Sequence, residues 1–293
     1  MVGCGDVARR ILPLLRSRYR VFALLRRVDR EMDWRELGAV PVQADLDQPA
    51  TLGRLAGLAD AVIHLAPPPG QGLRDTRTRA LVAALSKGGS LPRSLIYVST
   101  TGVYGDCGGA WIDETRSLHP DTARARRRVD AEQVLRAWGA REGVAVSVLR
   151  APGIYAADRL PVERLKSGLP ALSTVEDVFT NHIHADDLAA ACVAALRRGR
   201  PSRCYNVVDG SDLKMGDYLD RVADALNLPH PPRLPRTALR QAVSPVHWSF
   251  MCESRRIGNR RLCEELRLRL RYPTVDVMLA ALSGGAVSEK IGC

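Results

Sequence analysis

Lysine is scarce in this chain of 293 residues. It occurs only at Lys87, Lys166, Lys214 and Lys290, so arginine supplies nearly all of the 43 basic side chains and most of the formal net charge of +11. A surface built for nucleic acid gathers its cations on one face or in runs. Here the arginines are spread along the chain among 32 carboxylates, and no nucleic-acid partner is expected. Paired cysteines are missing as well. The seven cysteines contain no Cys-x-x-Cys spacing, which argues against a disulfide framework and against a thiolate zinc site. No apolar run is long enough to span a bilayer, and the first residues lack the charged-then-apolar order of a secretory signal. The expectation is a cytoplasmic protein with no membrane partner.

What is present is ordinary globular composition, 46% hydrophobic and 26% charged, enough to bury a full core. From Gly3 to Arg150 short apolar runs alternate with amphipathic stretches. Residues 19–25, 39–43, 61–66, 94–99 and 144–149 read as strands, while Val7, Ile11, Leu14 and Leu15 fall at helical spacing. That alternation predicts an α/β fold, a Rossmann doubly wound parallel sheet, with a smaller C-terminal substrate lobe. The expected organisation is a dinucleotide-binding domain over 1–158, completed by a helix and strand within 180–209, and a lobe from 159–179 and 210–293. The start is unusual. Only Met1 and Val2 precede the first glycine turn, too few for a central strand. Either the innermost strand is a stub or the chain is recorded from a point downstream of its true beginning, and the second is expected.

The segment Gly3-Cys4-Gly5-Asp6-Val7-Ala8 fits Gly-x-Gly-x-x-(Gly/Ala) ahead of an amphipathic helix. Gly3 allows a tight turn, Gly5 lets a pyrophosphate approach the backbone, and the first-turn amides of Asp6 and Val7 supply donors. Where a site preferring NAD places an acid after the second strand, this chain has Arg26 and Arg27, which suit a 2′-phosphate. NADP is therefore the expected cofactor, with NAD as the alternative. Asp45-Leu46 and Leu65-Ala66-Pro67 extend the same path along the carboxyl edge of the sheet. The pair His182 and His184 next to Asp186 and Asp187 has the look of a metal site, but no metal is expected there.

A second group of motifs is more specific. Ser99-Thr100-Thr101-Gly102-Val103-Tyr104-Gly105, Arg150-Ala151-Pro152-Gly153-Ile154-Tyr155 and His184-Ala185-Asp186-Asp187-Leu188-Ala189 together resemble the extended short-chain dehydrogenases/reductases, the NAD(P)-dependent epimerase/dehydratase-like family. The likeness covers about the first 210 residues. It implies that Thr100 orients the reacting oxygen, that Ser99 and Pro152, Gly153 and Ile154 flank the nicotinamide, and that Tyr104 has a structural part. It also implies a small-molecule substrate with a carbonyl or hydroxyl, nucleotide-sugar-like in many members, and is compatible with a homodimer.

The chain departs from the family where the proton is moved. The family's Tyr-x-x-x-Lys pair falls on Arg124 and Arg128, and a guanidinium cannot surrender a proton at usable pH. Sequences of this kind resemble the atypical members. Arg124 and Arg128 either form a solvated helix face or clamp an anionic substrate. Tyr104, Tyr155, His119, Asp113 and Glu114 are the other candidate proton donors, and Asn181 and His182 are expected to border the substrate cleft. Two readings follow: an NADP(H)-dependent oxidoreductase, or a module that holds NADP(H) without turnover.

Overall fold

Near-continuous apolar runs make the central strands, as expected where a parallel sheet is covered on both faces. In the computed structural model, which describes residues 1–288, helix α1 (Asp6–Leu15) is followed by β1 (Phe22–Leu25), β2 (Val40–Gln43) and β3 (Ala61–His64). Helix α2 (Thr76–Leu85), β4 (Ser94–Thr100), α3 (Ala123–Glu142), β5 (Ala145–Ala151) and β6 (Gly153–Tyr155) come next. Then follow β7 (His182–His184), α4 (Ala185–Arg198), β8 (Arg203–Asn206), α5 (Met215–Leu226) and α6 (Pro245–Met251). Lys290 and Cys293, at the end of the expected lobe, lie outside the described residues.

The sheet is parallel and doubly wound. Strand β2 pairs with β1 on one side, and β3, β4, β5 and β8 pair in that order on the other. Met1 and Val2 sit between the two halves. Val2 bridges both Leu24 and His64, and its ladder groups are matched: its amide donates to Ile63 O at 2.8 Å and its carbonyl accepts from Leu65 N at 2.7 Å. The Met1 amine donates to Phe22 O at 2.6 Å. Two residues thus hold the position of a central strand, and the sheet reverses its winding beside them. That reversal is where ligands bind in open sheets of this kind.

Helices cover both faces. Ala8, Ile11 and Leu12 of α1 pack with Leu188, Ala191 and Cys192 of α4 on one side. On the other, Leu81 and Leu85 of α2 pack with Ala131, Leu135 and Trp138 of α3. The expected apolar face of α1 is corrected in part: Leu14 is 44% exposed, and Ala8 and Leu12 take its place. Pro13 lies in the same helix. Behind β6, a separate core joins Tyr155, Leu165, Leu219 and Val222 to Val275 and Met278.

The starts of α1 and α4 are tied by charge. Arg10 reaches Asp6 at 3.1 Å, Asp186 at 2.7 Å and Asp158 at 2.9 Å, which fixes the first turns of α1 and α4 side by side. Two imidazoles are buried without charge. His64, held by Thr78 at 2.9 Å, and His182, stacked on Tyr218 at 4.1 Å, are both pushed down to about 3, chiefly by burial. The unfolded chain therefore takes up protons on these groups below about pH 6.5 while the folded chain does not. Stability is expected to fall with acidification from pH 6.5 towards 3, each imidazole adding up to about 1.4 kcal/mol per pH unit. Thermal midpoints from pH 7.5 to 4.5 test this, and His182→Phe should give the shallower fall.

Candidate cofactor and substrate chambers

Gly3 has φ +90, a conformation L side chains avoid, and a Cβ on it would lie 2.3 Å from Ala66 N. Only glycine fits between the stub strand and the turn after β3. Gly5 differs. A Cβ there would meet nothing within 4 Å and would point into open space. That space is a chamber of about 400 Å³ lined by Gly3, Cys4, Gly5, Arg26, Arg27, Asp45, Leu46, Leu65, Ala66 and Pro67. The residues expected from sequence to meet the phosphates and the adenosine end are thus brought together at the head of the sheet. Asp6 and Val7 start α1 beside it, and their amides, like those of any helix start, have no acceptor within the helix. The Asp6 carboxylate is turned to Arg10 and Arg159.

Two further arginines border this chamber, Arg30 and Arg77, which periodicity could not single out. Arg77 donates to Pro67 O at 3.0 Å and pairs with Asp47 at 2.6 Å, tying the turn after β3 to the turn after β2. Arg27 is paired with Asp29. Among the described residues no carboxylate pairs with Arg26 or Arg30. The open face at Gly5, the helix-start amides and these two arginines suit a phosphorylated dinucleotide.

A second chamber, about 430 Å³, opens at the carboxyl end of β4 and β5. Thr100, Arg124, Arg128, Pro152, Gly153 and Ile154 line it, as do Tyr155, Asn181 and His182. Side chains alternate along a strand. Thr100 consequently faces the chamber, and Ser99 faces the interior, where it donates to Glu132 at 2.7 Å. The expectation that Ser99 flanks the cofactor is corrected on that geometry. Tyr104 is likewise outside the chamber. Its buried hydroxyl donates to Asn206 at 2.7 Å and accepts from Arg150 at 2.9 Å, and burial pushes it up to about 12. It belongs to a core network in which Arg150 pairs with Glu132 at 2.7 Å.

Of the other candidate acids, Glu114 accepts from Asn206 N at 2.9 Å inside the protein, Asp113 accepts from Thr115, and His119 is exposed. None of the three lines the chamber. Tyr155 does, with its hydroxyl buried beside the Asp209 carboxylate, and burial together with that carboxylate raises its pKa. Near the suspected metal ligands, His184 Nδ1 accepts the Asp186 amide at 3.2 Å, and Asp187 accepts the amides of Arg271 and Tyr272. These contacts cap α4 and dock the chain at 271–272.

Arg124 and Arg128 stand one turn apart on α3. Arg128 reaches back to Val98 O at 2.8 Å and Tyr97 Oη at 3.0 Å, whereas Arg124 lies over the Phe250 ring at 4.2 Å. Residues that sequence alone did not single out complete the wall: Arg164, Phe179, Met215, Tyr218, Phe250, Glu253 and Arg255. Among the described residues Arg164 bonds neutral partners, Pro170 O and Met251 Sδ, and burial lowers its pKa. Among the described residues, then, four guanidiniums line this chamber against the single carboxylate of Glu253, which is engaged with Arg255 at 2.6 Å.

Comparison with known proteins identifies the family and the fold. A family model described as NAD(P)H-binding matches residues 3–198. The GDP-6-deoxy-D-mannose reductase of Pseudomonas aeruginosa is 31% identical over 216 residues, 63% of this chain and 69% of that protein. A protein of Silicibacter pomeroyi described as functionally unknown superposes with a TM-score of 0.79 at 31% identity, over 97% of both chains. The structure of RMD from Pseudomonas aeruginosa complexed with NADPH superposes with a TM-score of 0.70 at 22% identity, over 96% of this chain and 95% of that one. Among the described residues no helix is long and apolar enough to cross a membrane. The chain belongs to the NAD(P)H-binding family, and it shares its fold with solved structures described as epimerases and dehydratases.

Proposed function

We propose that the protein is an NADPH-dependent reductase of a small carbonyl compound that carries an anionic group. The observation that carries this reading is the pairing of the two chambers. One has a glycine wall and two cations that form no ion pair among the described residues, Arg26 and Arg30; the other has an excess of guanidinium over carboxylate, with a hydroxyl at Thr100. The cofactor half is assigned to 1–158 and 180–209, with the adenosine phosphate at Arg26 and Arg30 and the nicotinamide beside Pro152, Gly153 and Ile154. The segments 159–179 and 210–293 form the substrate lobe.

The cofactor, when bound, supplies the hydride. Thr100 donates a hydrogen bond to the substrate oxygen and holds it, while its own oxygen accepts the Gly102 amide at 3.2 Å. Arg124 and Arg164 hold the anionic group, and Phe179, Met215 and Tyr218 exclude water from the apolar side. Among the described residues lining the chamber, none takes the place of the missing tyrosine. Arginine cannot act as the acid, and Tyr155, raised by burial, is too weak an acid at neutral pH. Water supplies the proton, and turnover should be slow, since a positioned acid contributes about 10²–10⁴-fold.

A test is NADPH oxidation by the purified protein against matched carbonyl compounds with and without a carboxylate or phosphate. Faster turnover of the anionic set, reduced at least about tenfold in Thr100→Ala, is the expected result. Arginine at both relay positions also favours the second reading, a module that binds NADP(H) without turnover. Tight NADPH binding with no oxidation of any carbonyl in the panel would select it.

A further inference from the structure

Arg124 occupies the place where the family resemblance puts a neutral tyrosine, so the second chamber carries one more positive charge there than the family pattern implies. The charges that act on Arg124 include Glu253, Arg128, Arg255 and Arg127. Glu253 is already engaged by Arg255 at 2.6 Å, and Arg127 and Arg128 are bonded to neutral carbonyls, Gly72 O and Val98 O. Among the described residues no carboxylate forms an ion pair with Arg124. Its one ring contact, over Phe250, leaves its charge in place.

The oxidised nicotinamide ring is a cation and the reduced ring is neutral, while the rest of the cofactor is the same in both. A fixed cation beside the ring therefore changes the affinity of one form and leaves the other alone. We infer that Arg124, supported by Arg128, makes this protein select the reduced cofactor: the chamber binds NADPH and repels NADP⁺. The inference rests on the proposed placement of the nicotinamide beside Gly153 and Ile154, which line the same chamber as both arginines. It has two consequences. Product NADP⁺ is expelled from a reductase, and a protein that never turned over would still report the ratio of reduced to oxidised cofactor. An anionic substrate that neutralises Arg124 relaxes the discrimination, so that anion and NADP⁺ bind with positive coupling.

The size of the effect follows from charge separation. Like charges held in one cleft repel more strongly than in bulk water, so a preference of roughly tenfold is expected at low salt. Arg124 is exposed to solvent, so the preference should fade as salt screens it.

The experiment is a calorimetric titration of the full chain with NADPH, with NADP⁺ and with 2′-phospho-ADP-ribose, which lacks the nicotinamide. The expected result is NADPH bound roughly tenfold more tightly than NADP⁺ at low salt, with the gap closing towards 1 M salt. Arg124→Gln should narrow the gap by tightening NADP⁺ while NADPH and 2′-phospho-ADP-ribose stay unchanged, and Arg124→Lys should restore it. Equal affinities for the two oxidation states in the unaltered protein overturn the inference. So does a gap that Arg124→Gln leaves untouched. In both cases binding of 2′-phospho-ADP-ribose leaves the cofactor reading standing. If none of the three ligands binds, the cofactor reading falls and this inference falls with it.

Discussion

Gly3→Ala is expected to destabilise the protein by about 2–4 kcal/mol and to remove cofactor binding with it. The backbone at Gly3 lies at φ +90, where alanine is strained by about 1 kcal/mol or more. The added methyl would also lie 2.3 Å from Ala66 N and 2.7 Å from Leu65 C, both backbone atoms. They cannot step aside cheaply, because Leu65 N is bonded to the Val2 carbonyl at 2.7 Å and Val2 is the bridge between the sheet's two halves. Urea unfolding followed by fluorescence or circular dichroism reads the loss. Gly5→Ala is the counterpart. Gly5 has φ −101, and a methyl there meets no protein atom within 4 Å, so the urea midpoint should stay close to that of the unaltered protein. The same methyl would occupy the path by which a pyrophosphate approaches the amides, and NADPH affinity should fall by roughly tenfold or more. A protein in which both variants lose only stability would have a structural turn there and no phosphate cradle.

The second large effect concerns the 2′-phosphate. Replacing Arg26 and Arg30 together by glutamine should weaken NADPH binding by roughly 10²-fold, about 1.4 kcal/mol for each lost charge-assisted contact. NADH binding should change by only a few-fold. Arg26 and Arg30 fit this role because neither is held by a carboxylate among the described residues, whereas the neighbouring Arg27 is paired with Asp29 and Arg77 with Asp47. Fluorescence titration of the double variant with both reduced cofactors gives the two affinities. Equal losses for NADPH and NADH would move the phosphate away from this corner.

Much of the fold was legible because parallel strands buried on both faces leave continuous apolar runs. Residues 94–99 and 144–149 sit inside β4 and β5 almost to the residue. The glycine turn was legible for a different reason, since a positive φ and a close backbone approach admit only one residue type. Ser99 was misplaced because its motif gives no sense of which strand face a hydroxyl takes, and only the alternation with Thr100 in the folded sheet decides it. Arg30 and Arg77 were invisible to spacing, because each reaches the first chamber from a neighbouring turn or helix. The far wall of the second chamber was harder still. Arg164, Phe179, Phe250 and Arg255 come from short segments with no regular period, and tertiary packing alone gathers them. The excess of arginine over lysine bears on this wall, though it names no position.

The central claim is that the bend at Gly3 to Gly5, with Arg26 beside it, receives a phosphorylated dinucleotide. Isothermal titration calorimetry of the unaltered protein with NADPH, and separately with NADH, tests it most directly. The account predicts saturable uptake of NADPH at one site per chain, at least roughly tenfold tighter than NADH. Absence of heat and of saturation with either cofactor, from a protein shown to be folded, would contradict it.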